Sequence, residues 1–129
     1  MSSLLIAVGG AVGTLARYWC TIGLGELFGT AFPFGTFAVN LIGSFLLGII
    51  AEALSGATFG GTDLRLILGV GVMGGFTTYS SFNLEALRLF QQGELAKAFG
   101  YLFGTLLGCL AAGIAGLLVA RALAGQSPS

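Results

Sequence analysis

Residues 74–83 read Gly74-Gly75-Phe76-Thr77-Thr78-Tyr79-Ser80-Ser81-Phe82-Asn83, in the middle of a stretch otherwise apolar enough to cross a membrane. Each residue type opposes a helix for its own reason: glycine through backbone entropy, threonine through a restricted χ1, serine through competing side-chain hydrogen bonds. At membrane depth no water pairs with freed N–H and C=O groups, so a break persists only where protein or a polar cavity satisfies them. The run therefore predicts a helix interrupted in mid-membrane. Its freed carbonyls suit a cation and its freed amides an anion, with the hydroxyls of Thr77, Thr78, Ser80 and Ser81 as further partners. Tyr79 and Phe82 fall one turn apart beside them. An aromatic ring is negative on its face and positive at its edge, so ring edges border an anion without the strong trapping of a buried arginine.

The surrounding composition agrees with a membrane setting. Of 129 residues, 56% are hydrophobic and 8% charged, with five basic and five acidic side chains, 23 glycines and no histidine. A soluble domain carries about 25% charged residues. A nucleic-acid binder needs a cluster of lysine and arginine to neutralise phosphates, and imidazole chemistry has no residue to perform it. Uncharged runs of 25, 19 and 23 residues separate Glu26 from Glu52, Arg65 from Glu85, and Lys97 from Arg121, and the first 16 residues are uncharged too. A helix crosses the hydrocarbon core in about 20 apolar residues. The expectation is an all-α integral membrane protein, one domain over 1–129, with four spans near 3–25, 33–54, 63–90 and 95–124. The linkers are Glu26–Phe32, Ser55–Thr62 and Gln91–Glu94. The N-terminus lacks the basic flank and cleavage site of a signal peptide, and no internal repeat is visible.

With four spans, Arg65 and Arg121 fall on one side of the membrane and Arg17, Arg88 and Lys97 on the other. Orientation follows the difference in lysine and arginine, and two against three is almost none. Such a chain is compatible with insertion both ways round. Four helices also leave little room for a polar path down their own middle, so transport points to an interface between chains. Two opposed copies form a two-fold dimer with its axis in the membrane plane, doing with two chains what inverted-repeat transporters do with one.

Within the spans, Gly100, Gly104, Gly108, Ala112 and Gly116 recur every fourth residue, as do Gly9 with Gly13 and Gly71 with Gly75. Small residues on one helix face let a second backbone approach closely, so they read as packing. Thr36, Asn40 and Ser44 form a polar stripe on the second span. Tyr101, Thr105 and Cys109 form another on the fourth. Both consist of neutral donors; the plain reading is hydrogen bonding between helices, the functional one a lining for an ion. Cys20 and Cys109 match no metal or redox spacing. Arg17 is the one deep charge, suited to snorkelling or to anchoring a helix end through carbonyls. The glutamates fall near span ends, Glu85 with Arg88 three residues on as a local partner. No central carboxylate offers itself for proton coupling.

Three segments then become recognisable in order: Gly9-Gly10-Ala11-Val12-Gly13-Thr14-Leu15-Ala16-Arg17-Tyr18, Gly35-Thr36-Phe37-Ala38-Val39-Asn40-Leu41-Ile42-Gly43-Ser44-Phe45, and Gly74–Phe82. The chain resembles the small bacterial fluoride channels of the Fluc (CrcB) family, and the resemblance covers all four spans. It implies a passive fluoride channel of the bacterial inner membrane, not an enzyme and not a nucleic-acid binder, assembled as an antiparallel dual-topology homodimer with fluoride pores at the subunit interface. By position, Asn40 becomes the pore asparagine, Tyr79 and Phe82 the aromatic positions bordering fluoride, and Ser80 a hydroxyl beside them. Tyr101, Thr105 and Cys109 fall on the polar track of the fourth helix. Gly74 and Thr77 offer backbone carbonyls to a structural sodium ion (Na+) shared at the dimer centre, and Arg17 matches the arginine of the first-helix motif. Tyr79 departs from the usual phenylalanine by a hydroxyl. Ser81 stands where threonine is common and Cys109 where serine occurs.

The residue chemistry suits fluoride on its own account: a small, strongly hydrated ion needs several close donors, and neutral ones let it leave again. The alternative is a small dual-topology proton-coupled exporter of the multidrug type, against which the missing central carboxylate counts. A non-conducting assembly subunit is a third reading, opposed by the polar stripes. Opposed insertion is testable directly. A cysteine tag at the N-terminus is expected to react with a membrane-impermeant thiol reagent from both faces of the membrane, and one-sided labelling would refute it.

Overall fold

A computed structural model describes residues 1–125. Its order is α1 (Ser2–Phe28), α2 (Phe34–Ala53), a two-stranded hairpin of β1 (Thr58–Phe59) and β2 (Thr62–Asp63), a π-helical segment π1 (Arg65–Met73), α3 (Gly74–Phe76), α4 (Tyr79–Gln91) and α5 (Leu95–Leu123). Among the described residues α1, α2 and α5 are each long and apolar enough to cross a membrane. The third hydrophobic stretch is divided into three pieces. In sequence, the four hydrophobic segments coincide with α1, α2, the π1–α3–α4 series and α5.

Two features depart from the sequence reading. The second linker, expected as a plain turn, pairs Thr58 with Asp63 and Phe59 with Thr62 in antiparallel register. Gly60 and Gly61 turn it at φ of 58° and 80°, the left-handed pair that a two-residue hairpin demands and glycine supplies. Thr62 is buried there, and its hydroxyl lies 2.8 Å from that of Ser2, tying the hairpin to the start of α1. Asp63 then accepts from the Arg65 backbone N–H at 2.9 Å and pairs with its guanidinium at 3.1 Å, which holds the Asp63 carboxyl below its usual range. So the third span begins at Arg65. Secondly, its first nine residues are π-helical. A wider π turn keeps every N–H paired within the segment while shifting the register of its faces, and Gly69 and Gly71 are buried there without side chains to obstruct the neighbours.

The expected break is present. Thr77 and Thr78 have extended backbones (φ −85°, ψ 158° and φ −151°, ψ 123°) between α3 and α4. β-Branched residues favour such conformations. The Thr77 N–H and hydroxyl both donate to the Met73 carbonyl at 2.9 Å, ending the upper helix. The Thr78 hydroxyl accepts from the Ser81 N–H at 3.2 Å, capping the lower one.

Glycine sets the packing. α1 runs alongside π1 and α3, and α2 alongside α5. A Cβ on Gly13 would overlap the Val72 carbonyl, and one on Gly75 the Gly10 carbonyl. Along α5 the stripe tapers: a Cβ on Gly100 would meet nothing, at Gly104 it would lie 3.7 Å from Phe37, at Gly108 3.3 Å from Leu41, and at Gly116 it would overlap the Phe45 carbonyl. α2 and α5 therefore run parallel, close at their C-terminal ends and splayed at their N-terminal ends. The splay holds aromatic rings, with Phe32 5.3 Å from Tyr101 and Phe82 4.9 Å from Tyr101, both edge-on. Glu52 and Arg121 pair across the tight end at 3.1 Å, a part-exposed contact worth roughly 0–1 kcal/mol.

The taper sets an expectation for two otherwise identical substitutions. Gly116→Ala should destabilise by about 1–3 kcal/mol through overpacking, while Gly100→Ala should stay within about 0.5 kcal/mol of the parent. Equal unfolding midpoints in detergent would contradict the close approach.

Candidate functional site

The site is built around the break. Asn40, on α2 and buried, faces Thr78 with both ends of its amide: Nδ2 donates to the Thr78 carbonyl at 3.0 Å, and Oδ1 accepts from the Thr78 N–H at 2.8 Å. A primary amide carries the same donor and acceptor as a peptide group, so Asn40 takes the place of a neighbouring strand. On the far side, Arg17 Nε donates to the Gly75 carbonyl at 3.1 Å. Of the two roles open to Arg17, snorkelling or contact with a carbonyl, this bond to α3 is of the second kind. The carbonyls of Gly74 and Thr77 accept no hydrogen bond among the described residues.

Beside the break a groove of about 740 Å³ runs between α2 and α5. Asn40, Ser44, Thr77, Thr78, Tyr79, Phe82, Thr105 and Cys109 line it, interleaved with aliphatic residues. Tyr79 and Phe82 meet edge-on at 5.7 Å, but their environments differ. Phe82 is packed into the core against Tyr101, whereas Tyr79 is 77% exposed on the protomer surface. Tyr101 is fully buried with its hydroxyl beside Thr36 and Glu85, and Thr105 is 7% exposed; neither hydroxyl makes a well-formed hydrogen bond among the described residues. Two buried, unpaired donors one turn apart are costly, by about 1–3 kcal/mol each.

A smaller cavity of about 330 Å³ opens at the splayed end, lined by Thr21, Thr36, Glu85, Arg88 and Gln92 among others. Here one expectation is corrected. Glu85 does not pair with Arg88 among the described residues; it accepts from the Thr36 hydroxyl on α2 at 2.5 Å. Thr36 is buried against it, and Arg88 is exposed on the next turn, so the short bond across helices takes the carboxylate. Glu85 is half-buried at the seventh position of the 13-residue α4, deeper than a span-end reading allows.

The groove brings together Asn40, Tyr79, Phe82, Thr105 and Cys109, and Tyr101 stands behind Phe82. Ser80 is not among them: it is exposed and outside the lining, because residues 79 and 82 share a helix face that residue 80 turns away from. The interhelical bonds weighed for the two polar stripes form for Thr36 and Asn40. Among the described residues Thr105 forms none and Tyr101 only approaches Thr36 without a well-formed bond, and Ser44 lines the groove without a side-chain bond. Glu85 was the residue least legible in sequence. Its signal was a register match, Thr36 lying one turn from Asn40 and Glu85 two turns past the break, visible only once the two helices were known to face each other.

Comparison with known proteins bears on this arrangement. Residues 4–117 match the family described as CrcB-like protein, Camphor Resistance (CrcB). A protein of Anaeromyxobacter dehalogenans named fluoride-specific ion channel FluC is 53% identical over 122 residues, 95% of this chain and 97% of its own. Proteins of the same name from Sorangium cellulosum and Gloeobacter violaceus are each 51% identical, over 92% and 94% of this chain and 93% and 97% of their own lengths.

The Asn40 pairing yields a direct test. Asn40→Ala strands the N–H and C=O of Thr78 together, and the expected loss is roughly 2–5 kcal/mol of stability. It would be read as a lowered unfolding midpoint of the purified protein, and an unchanged midpoint would show that the break does not depend on Asn40.

Proposed function

The chain belongs to the CrcB family, and on that premise we propose that it is a fluoride-selective channel through which the anion leaves the cytoplasm passively. It is a multi-pass protein of the bacterial inner membrane and not an enzyme. One observation carries the mechanism: the buried hydroxyls of Tyr101 and Thr105, which make no well-formed hydrogen bond among the described residues. Fluoride gives up strongly held water only to several close donors. Unpaired O–H groups on a rigid helix supply them without first breaking bonds of their own. The edge of Phe82, fixed against Tyr101, adds a weak positive surface. With no arginine lining the groove beside the break, the ion is held loosely enough to move on. The proton-coupled exporter is not favoured, since the relatives cited above are named as fluoride channels.

The assembly belongs to the same proposal. A second copy, inserted in the opposite sense, covers the open side of the groove and places Tyr79 against a partner instead of lipid. The charge balance supports this more strongly than the bare sequence did. Arg17 is committed to a carbonyl beside the break, away from the helix ends, and setting it aside leaves Arg65 and Arg121 against Arg88 and Lys97. Two against two gives no preferred orientation. The free carbonyls of Gly74 and Thr77 suit a hard cation. A sodium ion shared with the same pair from the second copy would lock the two breaks together. The pathway residues of this reading are Asn40, which shapes the break, and Tyr79, Phe82, Tyr101, Thr105 and Cys109, which line or back it.

The decisive measurement is fluoride efflux from liposomes holding the purified protein, with potassium and an ionophore clamping the voltage. Rapid fluoride efflux is expected, and none from folded protein would overturn the proposal. Phe82→Ile is expected to abolish efflux while leaving the oligomer intact on size-exclusion chromatography. Undiminished flux would remove Phe82 from the pathway.

A further inference from the structure

The groove contains one nucleophile. Cys109 lies one turn beyond Thr105 on α5, lines the groove beside the break, is partly exposed and forms no disulfide. The chain's other cysteine, Cys20, is on α1 and outside the groove lining. The neighbouring Thr105 side chain lines the same groove and is more than nine-tenths buried, its hydroxyl without a hydrogen-bond partner among the described residues. A small reagent that enters the groove meets the part-exposed Cys109 thiol one helical turn from the Thr105 side chain.

We propose that Cys109 is a modification site through which small disulfides and thiosulfonates close the pathway. The inference rests on the reading of the groove as the route of the ion. In the reaction with methyl methanethiosulfonate, the Cys109 sulfur attacks the methylthio sulfur, and a new S–S bond forms as the reagent's S–S bond breaks. Methanesulfinate leaves with the bonding electron pair, and the thiol proton passes to water. The thiol is oxidised to a mixed disulfide and the sulfonyl group is reduced to the sulfinate, so no other oxidant is needed. The added methylthio group replaces a weak donor with a bulkier group that has no proton to offer, in the groove lining one turn from Thr105. Excess thiol reverses the exchange.

The test uses the Cys20→Ser variant in liposomes, where Cys109 is the remaining thiol, with two separate readouts. Intact mass is expected to show one methylthio group per chain after treatment. Fluoride efflux is expected to fall about tenfold as that mass appears, an occluded constriction passing little current, and to return with dithiothreitol. Cys109→Ser should give the same efflux before and after reagent, each measured against its own untreated sample. Failure of Cys109 to react in the folded protein, full modification with undiminished efflux, or equal block of Cys109→Ser would each overturn the proposal. Absence of efflux before any reagent is added would instead overturn the channel reading on which it rests.

Discussion

The two hydrogen bonds between the Asn40 amide and the Thr78 backbone are the interaction on which the rest depends. A helix opened inside a membrane leaves peptide groups with no water to satisfy them. One side chain of matching polarity, delivered from α2, satisfies both groups of one residue. With that residue held extended, α3 and α4 need not be coaxial, and the Thr78 hydroxyl is free to cap α4. Phe82 is then set against Tyr101, and the carbonyls of Gly74 and Thr77 are left without donors. Arg17 fixes the other end of the break through Gly75. The opening is thus clamped from two neighbouring helices rather than left loose.

Glycine and the aromatic residues share the remaining work. Close approach of α2 to α5 at Gly116, and of α1 to α3 at Gly13 and Gly75, forms rigid seams by backbone contact. Where the α5 stripe ceases to touch α2, the helices part, and Phe32, Phe82 and Tyr101 fill the gap edge to face. In this gap the hydroxyls of Tyr101 and Thr105 make no well-formed hydrogen bond among the described residues.

Much of this was legible in the residues. The spacing of ten charges gave the spans, because charge and hydrocarbon exclude each other. Gly74–Phe82 gave the break, because each of its residue types disfavours helix locally. The stripe through Asn40 gave the face of α2 that matters. Other features were not legible. The π turn of Arg65–Met73 carries no composition signal that separates it from an α-helix, since its residues are ordinary apolar helix formers and glycines. Ser80 and Tyr79 are adjacent polar residues in the run, yet only Tyr79 reaches the groove. Glu85 looked like the local partner of Arg88, and its bond to Thr36 depends on how far α4 rotates after the break.

The sequence by itself determined the membrane class, the helical segments, the place of the break and the neutral chemistry of the polar stripes, because these follow from composition and from preferences acting within a few residues. The tertiary structure decided which polar groups pair and which stay free. Asn40 and Thr36 find partners, while Tyr101 and Thr105 do not. That outcome depends on the separation of helices far apart in the chain, where a difference of an ångström decides between a satisfied donor and one available to an ion.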